Sequence, residues 1–166
     1  MGSGKTTVGN LLAKQLQWSI VDTDDQIISR TGKSIDSIFR DSGEEQFRAI
    51  EQSVIADLCN KTQQVIASGG GAFADPINRA GMLGNGRVFY LKASPEILLD
   101  RIYEDESIGA AIRPLLSENM SIANITNLLS ERIESYLMAH YSVETDGCTA
   151  EEVADVILTK YASDCS

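Results

Sequence analysis

Gly2-Ser3-Gly4-Lys5-Thr6-Thr7 stands at the head of the chain and runs directly into an apolar-periodic stretch. Glycines at this spacing let successive backbone N–H groups turn toward one point, and a helix that begins there adds its partial positive end. Such a segment suits phosphate oxygens. It reads as the second half of a Walker A loop, in which Lys5 bridges the β- and γ-phosphates of a nucleotide and the Thr6 hydroxyl ligates Mg²⁺. A glycine turn before an ordinary helix is the blander alternative, and the Gly-Ser-Gly spacing followed at once by Lys-Thr weighs against it.

Carboxylates and arginines follow at suggestive places. Asp22-Thr23-Asp24-Asp25 closes an apolar run. Residues two apart on an extended chain point the same way, so Asp22 and Asp24 are expected to face one site at the carboxyl end of a strand. Phosphoryl transfer needs a carboxylate near Mg²⁺ and another to orient or deprotonate the attacking hydroxyl. A solvated acidic turn, with Asp25 capping the next helix, accounts for the same residues about equally well. Arg48 and Glu51 lie three apart on a helical pattern and can pair. That pair is either surface charge or an arginine whose planar fork is held ready for a substrate carboxylate. Gly69, Gly70 and Gly71 follow another apolar run, and three glycines together leave backbone amides bare for close approach of a ligand. Arg113, in Arg113-Pro114-Leu115-Leu116, falls in a small and charged stretch that reads as a lid carrying an arginine to the transferring phosphate. Arg132 lies on the following helical pattern. His140 is the single histidine and reads as structural or exposed.

These residues need a frame. Short β-rich runs at 18–22, 64–68, 87–92 and 141–145 alternate with helical patterns, which predicts an α/β fold with a parallel sheet. Val8, Leu11, Leu12 and Leu16 form one apolar stripe. Phe47, Ile50, Val54, Ile55 and Leu58 form a second, and Ile122, Ile125, Leu129, Ile133 and Leu137 a third. Ser42 with Glu45, and Thr149 with Glu152, read as capping boxes; Asp75-Pro76 and Ser94-Pro95 read as an N-cap before proline.

The 166 residues suffice for one domain and not for two. A net charge of −10 argues against non-specific binding to nucleic acid or anionic membranes. No run approaches the ~20 apolar residues of a membrane span. The three cysteines, Cys59, Cys148 and Cys165, have no metal-ligand spacing and make no disulfide framework, which points to a reducing, cytoplasmic setting.

Taken together, the pieces resemble the shikimate kinase family, small P-loop kinases akin to nucleoside-monophosphate kinases. The resemblance rests on Gly2-Ser3-Gly4-Lys5-Thr6-Thr7-Val8-Gly9, Asp22-Thr23-Asp24, Ile38-Phe39 with Gly43-Glu44, Phe47-Arg48 with Glu51, Gly69-Gly70-Gly71, Arg113-Pro114-Leu115-Leu116 and Arg132, in family order over nearly the whole chain. It implies a three-layer fold, a central parallel sheet flanked by helices and a mobile lid, in a single domain spanning 1–166. The substrate-binding region would span about 24–62 and the lid about 104–119. It further implies that Gly2, Ser3, Gly4, Lys5, Thr6 and Thr7 hold ATP, and that Thr6, with Asp22 through water, holds Mg²⁺. Asp24 would hold the attacking shikimate hydroxyl and serve as its base. Arg48 and Arg132, with the backbone at Gly69–Gly71, would grip the shikimate carboxylate, and Arg113 would close onto ATP. The adenine would lie near 147–150, and the protein would be a monomer.

The sequence departs from the family pattern in three places. Family members open with an apolar strand and Gly-x-Met before Gly-Ser-Gly-Lys, and Met1 falls where that internal methionine stands. The expectation is that the natural protein begins upstream; the strand feeding the loop is then missing from mid-sheet, leaving its neighbours about 9–10 Å apart. Glu134 replaces a proline between Arg132 and Tyr136. The lid from 103 to 112 is longer than usual and carries Glu104, Asp105 and Glu106 without an added arginine. A kinase for gluconate or a nucleoside monophosphate, and a non-catalytic nucleotide-binding homologue, are the alternatives. Arg48, Arg132 and the triple glycine favour a carboxylate substrate over the first, and the retained Lys5, aspartates and Arg113 speak against the second.

Overall fold

The computed structural model describes residues 2–107 and 121–164. Twelve elements follow in order: α1 (Lys5–Leu16), β1 (Ser19–Asp22), α2 (Thr23–Thr31), α3 (Ile35–Cys59), β2 (Gln64–Ala67), α4 (Gly70–Ala74), α5 (Pro76–Asn85), β3 (Phe89–Lys92), α6 (Pro95–Ser107), α7 (Ile122–Tyr136), β4 (Tyr141–Glu144) and α8 (Ala150–Asp164). Each strand is followed by a helix, as strand connections in a parallel sheet require.

All strand pairing is parallel, in two separate pairs. β1 pairs with β2, Ser19 opposite Gln64, and β3 pairs with β4, Phe89 opposite Tyr141. Among the described residues no ladder joins β2 to β3. Register decides which groups face outward. Ser19 N–H donates to the Gln63 carbonyl, so Gln63, Val65 and Ala67 turn toward β1 while Gln64 and Ile66 turn away. Tyr141 N–H donates to Val88 and Thr145 N–H to Lys92, so Phe89 and Leu91 turn away from β4. Ile66, in the middle of a strand, is 37% exposed.

One core holds the pairs together. Val8 and Leu12 of α1 pack with Val143 of β4 and with Val153, Ala154 and Ile157 of α8, against Val65 of β2 and Phe89 and Leu91 of β3. The first stripe therefore shares one apolar cluster with residues of both pairs. Gly9 lets α1 lie close to β1, since a Cβ there would stand 2.8 Å from Ile20 Cδ1. The second stripe closes over α2: Phe47, Val54 and Leu58 pack with Ile27 and Ile38. The third is buried only at its middle. Ile125 packs with Leu98 and Ile102 of α6, whereas Ile122 and Leu137 are exposed, Leu137 lying past the last turn as the C-cap.

Of the predicted caps, Thr149 and Glu152 bond reciprocally, and Asp75 accepts from Ile77 and Asn78 N–H. The Ser42–Glu45 box does not form. α3 is two helical segments across a kink at Gly43, whose φ of 79° is left-handed: the first, capped by Ser34, runs through position 42, and the second begins past Gly43.

Candidate active site

A cleft of about 860 Å³ runs along the carboxyl ends of β1, β2 and β4, with the glycine loop at one side and the α3–α7 arginines at the other. The loop has the predicted form. Gly4 is the N-cap of α1 at φ 78°, and its carbonyl accepts from Val8 N–H. Gly2, at φ 61°, passes so close to α6 that a Cβ would stand 2.8 Å from the Leu98 carbonyl. Lys5 Nζ donates to Ser3 Oγ at 3.3 Å, curling over the loop.

Asp22 and Asp24 both reach the cleft, but not as neighbours on a strand. β1 ends at Asp22, which caps α2: its Oδ1 accepts from Asp24 N–H at 2.9 Å. Asp24 thus sits in the first turn of a helix, and Asp22, not Asp25, is the cap. The other oxygen of Asp22, Oδ2, accepts from Thr6 Oγ1 at 3.5 Å. A hydroxyl and a carboxylate side by side, both oxygen donors, fit Mg²⁺, which keeps several waters and shares the phosphates' oxygens. Among the described residues no cluster of three or more His, Cys, Asp or Glu forms a cation cage, and a nucleotide-borne Mg²⁺ needs none.

Arg48 lies on α3 between two carboxylates. It donates to Glu51 at 2.7 Å and to Glu44 at 3.1 and 3.3 Å, and its guanidinium lies 5.2 Å from the Phe47 ring centroid. Burial works to strip its proton, but Glu51 and Glu44 outweigh that and hold it more tightly than an ordinary arginine. Glu51 is 2% exposed, and burial pushes its carboxyl up despite the opposing pull of Arg48; Asp24 and Asp75 add to the upward push. The pairing is therefore a buried one, not the surface pair that sequence allowed.

Each glycine of the triple faces a different partner. A Cβ on Gly69 would stand 3.6 Å from Asp24 Oδ1, one on Gly71 2.9 Å from Arg48 Nη1, and one on Gly70 2.6 Å from Tyr136 Oη and 3.7 Å from Arg132 Nη1. Arg132 thus reaches this loop from α7, which continues as a regular helix through Glu134. The structure gathers Lys5, Thr6, Asp22, Asp24, Arg48, Arg132 and the three glycines around one cleft. Arg113 and most of the expected lid lie outside the described residues. His140, exposed, accepts from Val88 N–H through Nδ1, which is a structural task.

Three residues were given no role in the sequence reading. Thr23 is fully buried, and its Oγ1 accepts from Gly69 N–H at 3.2 Å, tying the aspartate turn to the glycine triple. Arg101 on α6 donates to the Gly2 carbonyl and to Thr145 Oγ1 and O, bracing the phosphate loop against the end of β4. Tyr136 donates to the Gly70 carbonyl at 3.1 Å. A threonine between two aspartates and an arginine in a helical run carry no local signal; only the tyrosine, one turn after Arg132, had spacing to flag it.

Anion-binding backbone, a lysine and an Mg²⁺-compatible oxygen pair at one side of a cleft, with arginines and a carboxylate at the other, define a P-loop kinase of small anionic molecules. The comparisons narrow the class. A model of the shikimate kinase family matches residues 1–162. A shikimate kinase of Thermus thermophilus is 41% identical over 160 residues, covering 96% of this chain and 85% of that protein, and one of Caldicellulosiruptor bescii is 36% identical over 159 residues, covering 96% and 90%. The solved structure of shikimate kinase from Acinetobacter baumannii in complex with shikimate superposes with a TM-score of 0.90 at 37% identity, covering 99% of this chain and 89% of that one. The chain belongs to the shikimate kinase family.

Proposed function

We propose that this chain transfers the γ-phosphoryl group of ATP to the 3-hydroxyl of shikimate, giving ADP and shikimate 3-phosphate, a step of aromatic amino-acid biosynthesis. The observation that carries the reading is the meeting of Arg48 and Arg132 at Gly70–Gly71 in the same cleft as the phosphate loop. Two cations beside bare backbone suit a carboxylate that is not the group being phosphorylated, which a nucleoside monophosphate lacks.

The chemistry is mostly positioning and stabilisation of spread charge. Gly2–Thr7 cradle the ATP phosphates, and Lys5 neutralises charge on the β- and γ-phosphates. Thr6 directly and Asp22 through water would hold Mg²⁺, which when bound would supply positive charge at the ATP phosphates. Arg48 and Arg132 fix the shikimate carboxylate. Asp24 accepts a hydrogen bond from the attacking hydroxyl and takes its proton; the hydroxyl oxygen bonds to the γ-phosphorus as the bond to the β,γ-bridging oxygen breaks, and ADP leaves with that electron pair. Glu51 keeps Arg48 in place, and Arg113 closes over ATP from the 104–119 lid.

The chain works as a monomer in a reducing, cytoplasmic setting, consistent with the free thiols of Cys59 and Cys148. Among the described residues no helix is long and apolar enough to cross a membrane. ADP release measured with and without shikimate, and with gluconate and nucleoside monophosphates in its place, tests the reading. Release that depends on shikimate alone is expected; release that follows another acceptor, or tight ATP binding without any acceptor-dependent turnover, would overturn it.

A further inference from the structure

We propose that Tyr136 is a positioning residue for the acceptor's carboxylate, acting through the Gly70–Gly71 peptide. The inference rests on the functional reading above for its substrate, but its geometry stands alone. The Tyr136 hydroxyl donates to the Gly70 carbonyl at 3.1 Å. A trans peptide is planar, so holding that carbonyl toward Tyr136 points the Gly71 N–H the opposite way. Arg48 occupies the space beside Gly71, its nitrogens 2.9 and 3.0 Å from where a Cβ would stand. The hydroxyl thus sets the orientation of a backbone donor that works beside the Arg48 guanidinium.

Tyr136 is itself held by a ring contact and by the anchoring of its helix end. Its ring packs on Tyr90 of β3 with centroids 4.9 Å apart, so it is clamped before any ligand arrives. It ends α7 one turn beyond Arg132, and both side chains converge on Gly70. Arg79 donates to Ser135 Oγ and to the carbonyls of Phe73 and Ala74, tying the same turn of α7 to α4. α7 therefore delivers a charge through Arg132 and a peptide orientation through Tyr136. It also explains why position 70 is glycine: a Cβ there would sit 2.6 Å from the Tyr136 oxygen.

The test is Tyr136→Phe, which keeps the ring against Tyr90 and removes only the hydroxyl. The KM for shikimate rises about fivefold, the scale of one neutral hydrogen bond, with the KM for ATP and the melting temperature unchanged. Gly70→Ala raises the shikimate KM as well, and adding Tyr136→Phe to it recovers part of that loss, because the collision partner is gone. In the ligand-free protein the amide resonances of Gly70 and Gly71 move in Tyr136→Phe. An unchanged shikimate KM, a fall in melting temperature as the sole effect, no recovery in the double variant, or unmoved glycine amides would each overturn the proposal. Wild-type protein that neither binds nor phosphorylates shikimate would sink the functional reading instead, and the amide resonances would still decide whether Tyr136 orients the peptide.

Discussion

Arg48 is held by two carboxylates on its own helix while a glycine clears room for it across the cleft. Gly71→Ala forces the guanidinium aside, because its nitrogens cannot stay 2.9–3.0 Å from a Cβ. The shikimate KM is expected to rise about tenfold, the equivalent of about 1.4 kcal/mol of displaced contact, with the ATP KM unmoved; steady-state kinetics with each substrate varied checks it. Glu51 makes a prediction in pH. Its folded-state carboxyl is pushed above the ordinary 4.5, so the folded protein binds that proton more tightly than the unfolded chain does. The stability this contributes is complete below about 4.5 and is lost as the pH rises through the higher folded value. Glu51→Gln removes this titration, so the melting temperature of the variant, relative to wild type, should improve from pH 4 to pH 7 even as shikimate affinity falls. A constant difference across that range would show that Glu51 does not titrate abnormally.

At the scale of elements, the strands were legible because β-branched and aromatic runs end in turn residues, and each lies within a residue or two of its predicted span. The candidate site was legible where a residue type has one common use, as in Gly4-Lys5-Thr6. It was not legible where a helix begins. Asp22 and Asp24 share a cleft because a cap bends the chain at Asp22, and period-two reasoning reached the right place by the wrong geometry. Ser42 and Glu45 satisfy a capping pattern, and a second helical segment does begin past Gly43, but no bond closes the box; that the preceding segment, capped by Ser34, runs right up to the kink is not encoded in the local pattern. The strands carry a prediction of their own. Among the described residues, the amides of Val65 and Ala67 face β1 and those of Tyr90 and Lys92 face β4, while those of Gln64, Ile66, Phe89 and Leu91 face no strand. Hydrogen exchange should alternate along both strands, fast at the second set and slow at the first. Uniform protection along β2 and β3 would mean that a strand lies between them.

Across the whole molecule, α1 joins what the sheet does not. Val8 and Leu12 belong to one apolar cluster with residues of both strand pairs, and α1 packs along α8. Leu12→Ala is expected to cost about 2–5 kcal/mol and to broaden thermal unfolding, since it loosens the link between the pairs as well as leaving a cavity; calorimetry reads both. An equally sharp transition with the same loss would show that the pairs unfold together without α1. The cleft lining sets Lys5, Arg48, Arg101 and Arg132 among Asp22, Asp24, Asp25, Asp36, Glu51 and Glu104, so its cations act by placement and not by excess. Anionic substrates meet attraction only beside those cations, and added salt, which screens exposed charges, should raise both KM values.

The outward edges of β2 and β3 also govern how the chain behaves in company. Among the described residues, the outward N–H and C=O groups of these edges meet no strand and Ile66 is exposed, which makes them a template for a further strand. In dilute buffer water serves those groups. A strand that replaced that water, whether of this polypeptide or of a neighbouring copy, would join the two pairs into one sheet and stiffen the cleft at their carboxyl ends.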